Sequence, residues 1–394
     1  MSVLDGLFPA WSSLRSFKGL SSAERTIVFY AESSADWAHL GPLVEALTDG
    51  LGRTVCYVTS DRTDPVLSLE NPRLRAFYVG TGTTRTAFFR LLEAGVMVMT
   101  LPDLETFHLK RSVHHVHYAY VFHSIVSTHT VYRKGAFDAY DTILCVGPHH
   151  VAEIRQTERT YRLKPKELVE HGYGRLDLIL ATKAESAPCA PGPGPARRLV
   201  LAPSWGESSF IEAPFGPDLV GLLVEHGHSV VLRLHPMTVR HHPRLADDFT
   251  RRFGDKGLRI VTDMREQASL HESELMICDW SGAALEYAFG LERPVLFIDT
   301  PPKRNNPEHG RIGLAGIEES LREQIGAVVG PGNLRGALPL IDSLCADPGA
   351  FKERLREARD RSVYNVGRSA SVGAAHVARL ADGVRQDDAS RSQE

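Results

Sequence analysis

The stretch Ala184 to Arg197, Ala-Glu-Ser-Ala-Pro-Cys-Ala-Pro-Gly-Pro-Gly-Pro-Ala-Arg, is the feature that most limits how this chain can fold. Its four prolines and two glycines deny the backbone helix and ladder hydrogen bonds, and little in it can pack. It divides 394 residues, long for one hydrophobic core, into two lengths of ordinary domain size. One pattern recurs on both sides of it. Before it, short β-rich runs at Thr26 to Tyr30, Val55 to Thr59, Leu74 to Val79, Val96 to Met99, Tyr118 to Phe122 and Thr142 to Val146 alternate with helical stretches. After it, the runs are Leu199 to Ala202, Ser229 to Leu234, Leu258 to Val261, Leu275 to Cys278 and Pro294 to Ile298. Continuous apolar strands between helices indicate parallel sheets covered on both faces. The expected class is α/β, with two doubly wound domains facing a cleft. Residues 1–183 form the first domain, 184–198 the linker and 199–384 the second domain with C-terminal helices. Residues 385–394, polar and without an apolar period, are expected to be a disordered tail.

Charge narrows the partners. The chain has 45 Lys and Arg against 48 Asp and Glu, with both signs spread along it, so the broad basic surface of a nucleic-acid binder is not expected. Five cysteines, Cys56, Cys145, Cys189, Cys278 and Cys345, lie far apart without CxxC spacing, which suggests neither a disulfide framework nor a zinc site. They read as free thiols in a reducing cytoplasm. No run approaches roughly 18 uncharged apolar residues, so a spanning helix is not expected. Nor does a basic region followed by an apolar run open the chain as a secretion signal would. Leu4, Leu7, Phe8, Trp11 and Leu14 recur at helical spacing, with serines and Asp5 opposite. Peripheral contact with a membrane is one reading of that stripe, and docking on its own domain is the other, favoured by Pro9, Arg15 and Lys18.

The most informative chemistry lies in Leu275-Met-Ile-Cys-Asp-Trp-Ser-Gly-Ala-Ala-Leu-Glu286. A strand ends at Asp279, the small residues Ser281 and Gly282 turn the chain, and a helix starts whose N–H groups are able to hold a phosphate. Glu286, one to two turns into that helix, is placed to accept hydrogen bonds from the two hydroxyls of a ribose. The alternative is that Asp279 and Ser281 only cap the helix. Upstream, a strand ends in Arg233, Leu234, His235 and Pro236, which puts an imidazole at a sheet mouth, where its charge would offset a phosphate. Ala202-Pro-Ser204-Trp205 is a third strand-end loop, with a hydroxyl and an indole for a base or phosphate.

In the first half His108, His114, His115, His117, His123 and His129 crowd together, but no carboxylate or cysteine stands at ligand spacing, so no metal is expected. His123, just beyond an apolar strand, is the candidate acid–base group, against the plainer reading of a satisfied core histidine. There is no GxxxxGK[ST] and no GxSxG, and Gly172-Tyr-Gly174 runs on into Arg-Leu-Asp rather than completing a GxGxxG. Kinase-like, dehydrogenase and esterase readings lose support, and no organic cofactor is implied.

Read together, these segments resemble the catalytic region of the CDP-glycerol glycerophosphotransferases, the family of teichoic acid primases and polymerases, which has the two-Rossmann-domain GT-B fold. That family pairs an early His-Gly with Gly-Tyr-Pro-Arg-Xaa-Asp, Ala-Pro-Thr-Trp, His-Pro and Asp-Tyr-Ser-Ser. This chain has Phe122-His123-Ser124, Gly172-Tyr-Gly-Arg-Leu-Asp177, Ala202-Pro-Ser-Trp205, His235-Pro236 and Asp279-Trp-Ser-Gly282 in the same order, over about half its length. The resemblance implies His123 as general base and His235 as stabiliser of the diphosphate, with Ser281, Gly282 and Glu286 around the nucleotide. It also implies a CDP-glycerol-like donor and a lipid-linked or polymer acceptor. A C-terminal helix often packs back on the first domain in such transferases. Ser124 stands for the family's glycine, Gly174 for its proline and Gly282 for its second serine. Asp279 to Asp299 is also similar to the UDP-sugar site of the UDP-N-acetylglucosamine 2-epimerases. A glycosyltransferase or epimerase using a UDP- or CMP-sugar, and a non-catalytic nucleotide-binding protein, therefore stay open.

Overall fold

The computed structural model describes residues 3–185, 196–264 and 266–391. Most of the expected linker, residues 186–195, lies outside them. The chain forms two compact units.

The first unit comprises Met1–Ser124, Tyr132–Asp177 and Val363–Glu394. Its strands are β1 Ile27–Ala31, β2 Val55–Thr59, β3 Leu74–Tyr78, β4 Val96–Met99, β5 His117–Val121, β6 Thr142–Cys145 and β7 Glu167–Glu170, in the order β3-β2-β1-β4-β5-β6-β7. All neighbours are parallel, with Val28 beside Cys56 on one side and Met97 on the other. β1, β2 and β4 are buried at every residue, which is why they read as unbroken apolar runs rather than alternating ones. β7 has only partly buried residues between two exposed glutamates, so no apolar run marks this edge strand.

The second unit comprises Ile125–Val131 and Leu178–Ser362. Its strands are β8 Arg198–Leu201, β9 Ser229–Arg233, β10 Leu258–Val261, β11 Leu275–Cys278, β12 Val295–Ile298 and β13 Gly326–Val329, ordered β10-β9-β8-β11-β12-β13 and again parallel. Leu199, Leu201, Leu232, Ile277 and Leu296 meet Leu219, Leu223 and Ile341 from the covering helices. Both sheets have the doubly wound order in which the chain reverses direction across the sheet. The reversal lies between β1 and β4 in the first and between β8 and β11 in the second.

Two boundaries differ from the sequence expectation. The C-terminal region is two helices, Pro348–Ser362 and Ser369–Arg391, and only the first stays with the second unit. There Arg356 and Arg359 reach the buried Glu292 carboxylate at 2.7 and 3.3 Å. The second helix places Ala374, Val377, Ala378 and Ala381 in the core formed by Phe29, Leu43, Leu47 and Val98 of the first unit. Asp177 fixes its start, accepting from Gly367 N, Ser369 N and Ser369 Oγ at 2.7, 2.8 and 2.5 Å. The helix continues through Arg391, so residues 385–391 are helical rather than a disordered tail, while 392–394 lie outside the described residues. Conversely, the short segment after Ser124 belongs to the second unit. Ser127 donates from N and Oγ to Glu318 at 2.7 and 2.8 Å, and Asn306 donates to the His129 carbonyl at 3.0 Å.

The helix Val3–Lys18 runs through Pro9. Ala10, Leu14 and Phe17 are buried, and Phe17 packs edge-on against Phe77 and Phe88. Leu14 faces the core of its own unit, and Trp11 stays 45% exposed. The side chains of Leu4, Leu7 and Phe8 lie outside the described residues. Among the described residues no helix is long and apolar enough to cross a membrane.

Candidate functional site

In the second sheet β8 and β11 are neighbours, so the loops after Leu201 and Cys278 leave side by side at the strand reversal. Asp279 joins them. Its side chain is 1% exposed, Oδ1 accepts from Ser204 N at 2.8 Å and Trp280 N at 2.6 Å, and Oδ2 accepts from Phe210 N at 3.0 Å. Burial raises its pKa, and the N–H donors pull against that rise. The carboxylate thus holds the start and end of the 202–210 loop in place. Ser204 is fixed by that bond, with its side chain buried.

Arg233 ends β9 and is also committed. It is 6% exposed and donates to the Glu266 carboxylate at 2.7 Å, the Glu266 carbonyl at 2.6 Å and Ser269 Oγ at 2.7 Å. A guanidinium taken up in this way ties the end of β9 to Glu266 and Ser269.

His235, two residues on, caps the helix Pro236–His241 with Nδ1 accepting from Met237 N at 3.1 Å. Pro236 at the first helical position presets that turn. An accepting Nδ1 carries no proton, so the neutral ring has its proton on Nε2. Burial, and then the nearby Lys303 ammonium, hold its pKa down to about 4 against the opposing Glu212. His235 is thus a neutral N–H donor at neutral pH in the free chain.

The Trp205 ring lies 6.0 Å from the His235 ring at an interplanar angle of 30°, and Lys303 Nζ stands 4.4 Å over the indole. Lys303 follows β12. Its loop is fastened to the β8 loop by Thr300 Oγ1 donating to the Ser208 carbonyl at 2.7 Å, and to the β11 loop by Trp280 Nε1 donating to the Thr300 carbonyl at 2.7 Å. The sequence reading missed Lys303, although its place after Pro301-Pro302 at a strand's carboxyl end was the available signal. Ser281 and Gly282 precede the helix Ala283–Leu291; Gly282 has no side chain to cap it, and Ser281 Oγ accepts from Ala283 N at 3.4 Å. Both residues and Glu286 in the first turn are half-buried. Ser204, Trp205, Arg233, His235, Asp279, Ser281, Gly282 and Glu286 thus share the second unit.

His123 belongs to the first unit, beyond the end of β5. It is half-buried, with its ring 6.2 Å from His39 and 6.0 Å from Tyr132. Tyr173 donates its hydroxyl to the His123 carbonyl at 3.0 Å and lies 3.4 Å from His39 Nδ1. Burial first, then His123 and Arg175, push the His39 pKa well below its ordinary value. Nothing around Trp37-Ala-His39 in the sequence marked it. The Gly172-Tyr-Gly motif gains its reason here: Gly172 has φ +102°, and a Cβ there would stand 2.3 Å from the Tyr364 carbonyl. Among the described residues no group of three or more His, Cys, Asp or Glu side chains is placed to hold a metal ion.

No protein-family model matches the chain, and no curated protein does. Solved structures do. The wall teichoic acid polymerase TagF soaked with CDPG is 14% identical over 97% of this chain and 99% of that one, with a TM-score of 0.56. A UDP-N-acetylglucosamine 2-epimerase is 12% identical over 88% and 93%, with a TM-score of 0.55. MnaA of S. aureus, in a co-structure with UDP, is 12% identical over 89% and 94%, with a TM-score of 0.56. At these identities the likeness is one of fold. The chain has the GT-B architecture of two Rossmann-like parallel-sheet units, of seven and six strands.

Proposed function

We propose that the protein is a nucleotide-dependent transferase that moves a polyol phosphate, glycerophosphate-like, from a CDP-activated donor to an acceptor hydroxyl during assembly of a cell-surface polymer. The carrying observation is the strand reversal of the second sheet. A helix begins there after Ser281 and Gly282, with a long side-chain bond at its start from Ala283 N to Ser281 Oγ at 3.4 Å, and the neutral His235, with its proton on Nε2, stands at the end of the next strand but one. Helix N–H groups and a neutral imidazole donor suit the oxygens of a diphosphate. Support for cytidine comes from the ordered motifs from His123 to Gly282 and from the likeness to a polymerase soaked with CDPG.

In this reading the acceptor is lipid-linked or polymeric. Its hydroxyl oxygen attacks the donor phosphorus distal to the nucleoside. A phosphorus–oxygen bond to the acceptor forms, and the bond to the bridging oxygen breaks with its electron pair leaving on CMP. His123 takes the hydroxyl proton, and His235 with the helix start stabilises the charge on the leaving oxygen. Incubation with CDP-glycerol and a panel of other CDP- and UDP-activated donors, with a polyol-phosphate lipid acceptor, tests this. CMP release with phosphodiester formation is expected. UDP release, or epimerisation of a UDP-sugar, favours the second reading suggested by the likeness to MnaA and the epimerase. Failure to bind or turn over either class of donor overturns both.

A further inference from the structure

The geometry points to Lys303 as the cation that recognises the donor's diphosphate, with Trp205 as the seat that holds it ready rather than as a platform for the base. This rests on the donor reading above. The reading needs positive charge at the leaving group, yet neither cation expected from the sequence can supply it. Arg233 is spent on Glu266 and Ser269, and His235 is neutral. The next basic residue, Arg304, is paired with Glu319 at 3.2 Å.

Lys303 differs from these. It is half-buried, its ammonium sits 4.4 Å over the Trp205 ring, and among the described residues no carboxylate lies within ion-pair distance of it. Asp279 and Glu212 act on it only through their fields, and burial depresses its pKa against them. A partly desolvated ammonium without a carboxylate is poorly compensated, since a cation–π contact contributes only about 0.5–2 kcal/mol. An incoming dianion supplies the missing partner. The loop is anchored through Thr300 to the β8 and β11 loops, so Lys303 departs from a fixed base beside His235 and the 202–210 loop. Its side chain also covers one face of the Trp205 indole, which argues against base stacking on that face.

Calorimetry on the full chain tests the assignment, with cytidine, CMP and CDP, and with the uridine series in parallel, against wild type, Lys303→Met and Lys303→Arg. Removing a charge-assisted contact is expected to weaken CDP binding about 10- to 100-fold, CMP less and cytidine not at all. Lys303→Arg is expected to recover most of the loss. Methionine keeps the contact with the indole, and unchanged thermal melting of both variants verifies the fold. Equal affinity of wild type and Lys303→Met for the diphosphate removes Lys303 while leaving the donor reading intact. An equal loss for nucleoside and diphosphate makes Lys303 a packing residue and overturns the assignment. If wild type binds neither series, the donor reading falls and Lys303 falls with it.

Discussion

A carboxylate bridges the central strand pair in each sheet, but the two bridges are built differently. In the first, Asp36 follows β1, accepting from Glu32 N and Ser33 N at 2.8 and 3.0 Å, and reaches across to Thr100 Oγ1 beyond β4 at 2.9 Å. In the second, Asp279 follows β11 and gathers backbone N–H groups from the loop after β8. Asp36 is half-buried and its cross-strand bond is to a hydroxyl, whereas Asp279 is buried and its cross-strand bonds are all to main chain. The difference teaches that a buried carboxylate at a strand end spends its charge on the loops, which in the proposed reading leaves ligand chemistry to neighbouring groups. In the second unit these are His235, Lys303 and the start of the helix Ala283–Leu291. In the first unit they are the rings of His39, His123 and Tyr173, which in that reading move a proton rather than neutralise a phosphate.

The strongest test of that division is His123→Ala. Turnover is expected to fall by about two to four orders of magnitude, while nucleotide affinity measured by calorimetry stays nearly unchanged. Full activity in the variant would remove the proton-transfer role from the first unit. Next is the pair of bridges. Asp279→Ala leaves buried N–H groups without their acceptor and is expected to cost about 3 kcal/mol in denaturant unfolding, against about 1 kcal/mol for Asp36→Ala. Similar losses for the two would erase the contrast.

Ser281→Trp fills the space before the helix and is expected to weaken nucleotide binding about a hundredfold in a folded protein, and unchanged affinity would locate the phosphates elsewhere. The smallest expected effect concerns His235. Its ring should titrate near the depressed value of about 4 in NMR of the free protein, and nucleotide should shift the midpoint upward. The sign for stability follows. A histidine whose folded pKa lies below its ordinary 6.5 contributes stability above that pH and loses it as pH falls toward about 4. A midpoint near 6.5 in the free protein would restore the charged imidazolium.

Much of this was legible without coordinates. Val55 to Thr59, Val96 to Met99 and Leu275 to Cys278 read as strands over the limits they adopt, because inner strands of a parallel sheet are apolar on both faces and bounded by breakers. The strands that escaped notice, β7 and β13, are edges. Glu167-Leu-Val-Glu170 and Gly326-Ala-Val-Val329 are short and only partly covered, so their apolar signal is weak. The loops that carry the candidate site were found for the same reason as the central strands: each follows a clear strand end.

What the sequence determined by itself is the architecture and the addresses of the chemistry, since periodicity and strand-end position are local properties of the chain. What only the tertiary structure decided is the use of each charge. Whether Asp279, Arg233 or His235 meets a ligand depends on which N–H groups, carboxylates and ammonium ions other elements bring within a few ångströms. Ser204 and Phe210 lie 75 and 69 residues from Asp279, Glu266 lies 33 from Arg233, and Lys303 lies 68 from His235. The final helix obeys the same rule: its alanines and Val377 fit either core by composition, and the hydrogen bonds of Asp177 to Gly367 and Ser369 assign it to the first.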